Sequence, residues 1–234
     1  MDFAIIAAGE GSRLRKEGFN YPKPMVNLDG LPIIHRLINI FIKNRAERIY
    51  IIINEYSPEL ASYLDALVLP VPVMVIKKDT PSSFHSFYEV MPHLVSDKFC
   101  ITTVDTIFDE KEFTSYITAF EASSELDGLM AVTSFVDDES PLYVTTDSDL
   151  TITGFNDKNS EGAAYVSGGI YCLSRSIIPT VKKSVGSGVN RMRNFQRSLI
   201  ADGLAIKAYP FSKIIDIDHV RDIHVAEEWI GVHR

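Results

Sequence analysis

The sequence predicts an α/β fold built on a mostly parallel, mixed sheet with helices on both faces and a small antiparallel extension. Three observations predict it. Strand-length apolar runs alternate with helix-period segments through the first half, the pattern of βαβ units. After Asp127, four strand-like runs follow with only turn residues between them. The first apolar run, Phe3–Ala8, breaks into Gly9-Glu10-Gly11, where backbone can approach a ligand closely.

In order, Phe3–Ala8 reads as a strand and Pro32–Asn44 as an amphipathic helix with Ile33, Leu37, Ile40 and Phe41 on one side. Arg48–Ile53 is a strand, and Pro58–Leu67 a helix with Ser57 as its cap and proline just inside. Val71–Ile76 and the β-branched Phe99–Val104 read as strands, Ser83–Leu94 and Glu110–Ser123 as helices. The extension comprises strands Leu129–Phe135, Leu142–Thr146, Thr151–Phe155 and Ala164–Leu173. Helices Ser174–Lys183 and Val189–Ala201, strands Leu204–Pro210 and Lys213–Ile217, and a helix from His219 to Ile230 close the chain. No repeat or flexible hinge divides it, so residues 1–234 are expected to form one domain with halves at 1–126 and 127–234.

Composition narrows the function. A net charge of -8, from 31 acidic and 23 basic residues, argues against a nucleic-acid polymer as partner. Cys100 and Cys172 sit in apolar runs without a CxxC spacing, which suggests buried thiols and a reducing compartment. No signal peptide or membrane-length apolar run is visible, so a cytoplasmic protein is expected. His35, His85, His93, His219, His224 and His233 are scattered and predict no metal cluster. Tyr143, Tyr165 and Trp229 read as packing residues.

The candidate site begins at Ala8-Gly9-Glu10-Gly11-Ser12-Arg13 and continues to Pro22-Lys23-Pro24 within one long loop. Freed peptide N–H groups favour anions. Arg13 offers a planar fork to phosphate oxygens, and Lys23 a point charge aimed by its flanking prolines. These residues describe a polyphosphate pocket. Leu14 stands where a dinucleotide fingerprint needs its third glycine, and no Gly-Lys-Ser/Thr follows as in a Walker loop. Ligands of open parallel sheets bind beyond the carboxyl ends of strands, where Asp105, Asp216 and Asp218 are also expected.

Ala7-Ala8-Gly9-Glu10-Gly11-Ser12-Arg13-Leu14 with Pro22-Lys23-Pro24 resembles the signature of the sugar-phosphate nucleotidyltransferases, the nucleoside-diphosphate-sugar pyrophosphorylases. Val166-Ser167-Gly168-Gly169-Ile170-Tyr171 and Ile215-Asp216-Ile217-Asp218-His219-Val220-Arg221-Asp222 are similar to two further segments of that family, so the likeness spans nearly the whole chain. It implies a Rossmann-like sheet and Mg²⁺-dependent joining of an NTP to a sugar 1-phosphate, with release of pyrophosphate.

The resemblance also implies roles. Ala8, Gly9, Glu10, Gly11, Ser12, Arg13, Thr80 and Ser83 would bind nucleotide, with Arg13 and Lys23 catalytic. Asp105 and Asp216 would hold the metal, with Asp218 the alternate; helix capping is the other role open to Asp105 and Asp218. Lys23, Asp157, Lys158 and Gly168 would bind the sugar phosphate.

Three departures stand out: Lys16-Glu17-Gly18 for the usual Pro-Leu-Thr, Val104 before Asp105, and Thr80-Pro81-Ser82-Ser83-Phe84-His85-Ser86 beside the base. Alternatives are a phosphocholine cytidylyltransferase of the same fold, a GT-A-like glycosyltransferase using Asp216-x-Asp218, and a catalytically silent nucleotide-binding regulator. Nucleobase, acceptor and oligomeric state stay open.

Overall fold

The computed structural model describes residues 1–136, 139–159 and 162–232; His233 lies outside them. The first half alternates β1 (Asp2–Ala7), α1 (Ser12–Lys16), a short hairpin of β2 (Asn27–Leu28) and β3 (Leu31–Pro32), α2 (Ile33–Lys43), β4 (Arg48–Ile53), α3 (Pro58–Asp65), β5 (Val73–Lys77) and α4 (Ser83–Val90). It continues with β6 (Lys98–Thr103), β7 (Thr106–Phe108) and α5 (Glu110–Ala122). The second half contains β8 (Gly128–Thr133), β9 (Tyr143–Thr146), β10 (Ile152–Asn156), β11 (Tyr165–Ser174), α6 (Ile178–Gly186), α7 (Met192–Ala201), β12 (Ile206–Phe211), β13 (Ile214–Asp216) and α8 (Val220–Val232).

Several boundaries differ from expectation for local reasons. Ser57 occupies the N-cap position of α3 with Pro58 just inside, but its side chain makes no cap bond; its hydroxyl donates to Asn54 Oδ1 at 2.8 Å. The helix expected to reach Leu94 leaves α geometry after Val90 and ends in a 3-10 turn, Met91–His93. Pro92 lacks the N–H needed to continue it. Arg13 is carried by α1 rather than by a loop, and the ribbon partner β7 had no counterpart in the sequence pattern.

Among the described residues nine strands form the main sheet. β5, β4, β1 and β6 run parallel in that order. The long β11 pairs antiparallel with β6, β8 and β9, and β12 joins β8 in parallel. Both faces of β1 are covered, which explains an uninterrupted apolar strand. Phe3, Ile5 and Ala7 face a core with α2, α5 and α8. Ala4, Ile6 and Ala8 face the other core, with Phe84 and Phe87 of α4, Val181 of α6 and Phe195 of α7. Cys100 and Cys172 are buried free thiols directly opposite each other on β6 and β11. Among the described residues no helix is long and apolar enough to cross a membrane.

Asp2 starts β1 with no exposed surface. Its carboxylate accepts from the Val95 N–H at 2.7 Å, the Ser96 N–H at 2.9 Å and Arg48 Nη1 at 3.1 Å. Burial pushes the carboxyl up, but these donors outweigh it and hold its pKa below the ordinary value. The resulting stabilisation is present above the unfolded-state pKa, about 3.9, and is lost as pH falls toward the folded value. Asp2→Asn should cost about 1–3 kcal/mol at neutral pH by replacing an acceptor-only group with one that also donates. Melting temperatures at pH 7 and pH 3 should show the gap between wild type and variant narrowing in acid.

Candidate active site

The chain leaves β1 toward β4 on one side and reaches β6 on the other, so the carboxyl ends of β1 and β6 flank a switch point of the strand order. The loop after β1 turns through Gly11, which is left-handed at φ 60°. A Cβ there would stand 2.9 Å from Lys23 Cβ, so glycine serves both the turn and the closeness of the lysine. Gly9 faces open space. Gly11→Ala should therefore displace Lys23 and lower turnover at least about tenfold, the order seen when a reacting group is misplaced by a fraction of an ångström. Steady-state rates beside a melting curve check this.

Lys23 opens a 3-10 turn, Lys23–Met25, between its two prolines. Its ammonium donates to Asp105 Oδ2 and, at 2.8 Å, to Asp218 Oδ1, while Arg13 pairs with the other oxygen of Asp218. Burial alone would lower the Lys23 pKa, but Asp105 and Asp218 raise it well above the ordinary lysine range. Burial likewise pushes Asp105 up, and Lys23 beside it brings its pKa below the ordinary value. Two cations and two carboxylates thus meet in one cluster at neutral pH.

The C-terminal carboxylates reach this cluster on a ribbon. β13 pairs antiparallel with β7, Asp216 opposite Thr106, and the Ile217 N–H donates to Asp105 O at 3.0 Å. The family register favours Asp216, but Asp218 is the one that shares Lys23 with Asp105. Asp216 is exposed and lines the adjoining cavities. Asp218 is not a side-chain cap of α8: Asp222 Oδ2 reaches back to accept from the Asp218 and His219 N–H groups at 2.9 and 2.6 Å. Asp105 is not the cap of α5 either, since Asp109 accepts there from the N–H groups of Lys111 and Glu112.

Glu17, one of the unusual residues after Arg13, has a structural use. It accepts from His219 Nδ1 at 2.5 Å and from the Val220 N–H at 2.8 Å, fastening α1 to the segment that carries Asp218. The bond raises the His219 pKa and lowers that of Glu17.

A cavity of about 630 Å³ opens on the cluster. Ala8, Gly9, Glu10, Gly11, Ser12, Arg13, Lys23, Thr80, Ser83, Asp105 and Asp218 all line it. The segment before α4 is self-bonded: the Thr80 and Ser86 hydroxyls are 2.6 Å apart, and Ser82 caps the helix. A second cavity of about 370 Å³ shares Ser82, Ser83, Thr103, Asp105 and Asp218 with the first. Asp216, Tyr171, Arg191, Arg193 and Gln196 line only its other side, and the two arginines and Gln196 had not been singled out in the sequence.

Of the remaining expected acceptor residues, Gly168 lines a third cavity together with Arg13, Asp216 and Asp218, whereas Asp157 and Lys158 lie elsewhere. A Cβ on Gly168 would stand 2.2 Å from Ile214 Cδ1, so this glycine lets β13 pack against β11. Asp157 and Lys158 line none of the cavities that meet at the cluster. Asp157 instead pairs with Arg193 at 2.7 Å and Arg197 at 2.8 Å, which lowers its pKa. Among the described residues no group of three or more His, Cys, Asp and Glu could hold a metal ion. The Asp105 and Asp218 pair is a donor set that fits Mg²⁺, which takes one or two carboxylates and completes its shell with water and substrate oxygens.

The MobA-like NTP transferase domain family matches residues 3–198. The chain belongs to that family. A mannose-1-phosphate guanylyltransferase of Mycobacterium tuberculosis is 22% identical over 234 residues, 98% of this chain and 63% of its own length. A bifunctional protein GlmU of Methanococcus maripaludis is 26% identical over 110 residues, 47% of this chain and 26% of its own length. This MobA-like domain thus spans less than two thirds of those curated relatives. The structure of an inositol-1-phosphate CTP transferase from T. maritima superposes with a TM-score of 0.82 at 19% identity, covering 98% of this chain and 96% of that one. The Rossmann-like, mainly parallel sheet of this MobA-like domain is therefore a nucleotidyltransferase fold.

Proposed function

We propose that the chain transfers a nucleotidyl group from an NTP to a sugar 1-phosphate, with Mg²⁺, releasing pyrophosphate. Residues 1–126 would bind the nucleotide and residues 127–234 the acceptor, within one domain. The observation that carries this is the pairing of Arg13 and Lys23 with Asp105 and Asp218, the two carboxylates that line both cavities. Family membership supports nucleotidyl transfer over the glycosyltransferase alternative. The buried free thiols suit a cytoplasmic location.

An oxygen of the acceptor phosphate attacks the α-phosphorus, the new O–P bond forms, and the bond to the β-phosphate oxygen breaks with pyrophosphate as leaving group. Both reactants are anions, so positioning and charge neutralisation supply the catalysis and no covalent nucleophile is needed. Peptide groups of Gly9, Glu10 and Gly11 would face the nucleotide, and Arg13 would take triphosphate oxygens in place of Asp218. Lys23 would lie between the attacking phosphate and the α-phosphate. Asp105 and Asp218 would hold Mg²⁺, with Asp216 the alternate. Bound Mg²⁺ would stabilise charge developing on the phosphoryl oxygens.

The test is a screen of four NTPs against sugar 1-phosphates and phosphocholine, with and without Mg²⁺, reading pyrophosphate. Release that requires NTP, acceptor and Mg²⁺ together supports the proposal. Tight NTP binding with no release across the panel would instead identify a silent nucleotide-binding regulator.

A further inference from the structure

The acceptor cavity has two chemically distinct walls. One is the rim it shares with the nucleotide cavity, where Asp105 and Asp218 meet Lys23. The other is the start of α7, where Arg191 and Arg193 line the acceptor cavity and not the nucleotide cavity. A phosphate that attacks the nucleotide must lie at the shared rim, so these guanidiniums face the part of the acceptor remote from the reaction.

Arg193 is fixed before any ligand arrives. Its Nη1 donates to Asp157 Oδ1 at 2.7 Å and its Nη2 to Ser140 O at 2.9 Å. Arg191 is exposed and has no ion-pair partner among the described residues. Tyr171 is the one aromatic residue on the cavity wall among the described residues, and it is largely buried. The wall therefore lacks the ring faces that hold a quaternary ammonium. It carries instead the guanidiniums of Arg191 and Arg193, planar groups suited to a carboxylate or phosphate, together with the carboxylate of Asp216.

We infer, on the footing of the nucleotidyl transfer proposed above, that the acceptor is a phosphate ester bearing a second oxyanion at its far end. Arg191 and Arg193 contact that oxyanion, and cationic acceptors such as phosphocholine are rejected. Asp157 is a positioning residue that aims Arg193.

The experiment compares glucuronic acid 1-phosphate (a carboxylate), glucose 1,6-bisphosphate (a second phosphate), glucose 1-phosphate and phosphocholine with whichever NTP is used. At least one acceptor with a second acidic group should exceed glucose 1-phosphate in kcat/KM by about 10–100-fold, the scale of one charge-assisted hydrogen bond, mainly through KM. Whichever of the two is preferred names the oxyanion. Arg191→Ala should bring the ratio of acidic to neutral acceptor toward one; Asp157→Asn should lower it and Asp157→Glu restore part of it. Equal use of glucose 1-phosphate, use of phosphocholine, or an unchanged ratio in Arg191→Ala overturns the inference while leaving nucleotidyl transfer standing. Should no acceptor release pyrophosphate, transfer itself fails, and calorimetry of the same acceptors on the NTP-bound protein decides. A preference for the acceptors with a second acidic group that Arg191→Ala abolishes sustains the inference, and equal affinities overturn it.

Discussion

Lys23→Ala should lower turnover by a factor of about 10²–10³, the scale for removing one preorganised charge from a phosphoryl or acyl transition state. The side chain is only 11% exposed and sits between Asp105 and Asp218, at the rim where both substrates would meet. In the free protein these carboxylates occupy the ammonium. On the proposed reading, anionic substrates and Mg²⁺ would draw the carboxylates to the cation and the ammonium to phosphate oxygens, so the cluster would change partners without burying an unpaired charge. The variant without the lysine leaves two facing carboxylates. Breaking a fully buried pair costs about 3–5 kcal/mol, and the cost here is smaller because Asp218 is 30% exposed and can rehydrate. Lys23→Arg separates the two effects: it keeps the charge, and with it much of the stability. Its planar fork has a different geometry from the point charge that Lys23 places between Asp105 and Asp218 and should not restore turnover. Turnover of Lys23→Ala within threefold of wild type would remove the lysine from the reaction.

The alternation of strands and helices from β1 to α5 was legible because each element is long enough to display a period and both faces of the sheet are buried. Of the β7–β13 ribbon only β13 was, inside the run Lys213–Ile217. The three-residue β7 has no period to detect, and the pairing joins residues about a hundred positions apart. That ribbon decides the geometry of the site, since it brings the C-terminal aspartates to Asp105.

The site was legible where chemistry is local. Gly9 to Arg13 and Pro22 to Pro24 read as an anion-binding pattern in consecutive residues, and the structure gathers Gly9 to Arg13 and Lys23 around one cavity. It was illegible where partners are distant. Glu17 and His219 are 202 residues apart, and neither carries a local signal of the bond between them. Asp157 reads as a ligand-facing acid in a turn until Arg193 and Arg197 are folded onto it. Two arginines at the start of α7 were the available clue to that wall, but surface arginines on a helix are common enough that spacing alone could not rank them.

Asp216 and Asp218 were hardest to rank, because residues two apart on a strand share one face and spacing treats them alike. The structure sets the two apart: the chain leaves the ribbon at Ile217, whose N–H is tied to Asp105 O, and turns into α8 under Asp222. That turn aims the Asp218 carboxylate at Lys23 and Arg13. The expected result is therefore an asymmetry. Asp105→Asn and Asp218→Asn should each lower Mg²⁺-dependent turnover by about 10²–10³, whereas Asp216→Asn should lower it by less than about tenfold. Binding of Mn²⁺ in the presence of a non-hydrolysable NTP analogue, followed by electron paramagnetic resonance, should weaken in the first two variants and persist in the third. The melting temperature of Asp105→Asn should move little, because its amide oxygen can still accept from Lys23 and Asp218 remains as the counter-charge. A deep loss of stability in that variant would mark Asp105 as a structural residue. An Asp216→Asn protein that binds no Mn²⁺ while Asp218→Asn still binds it would return the metal to the strand end and leave Asp218 as the partner of the two cations alone.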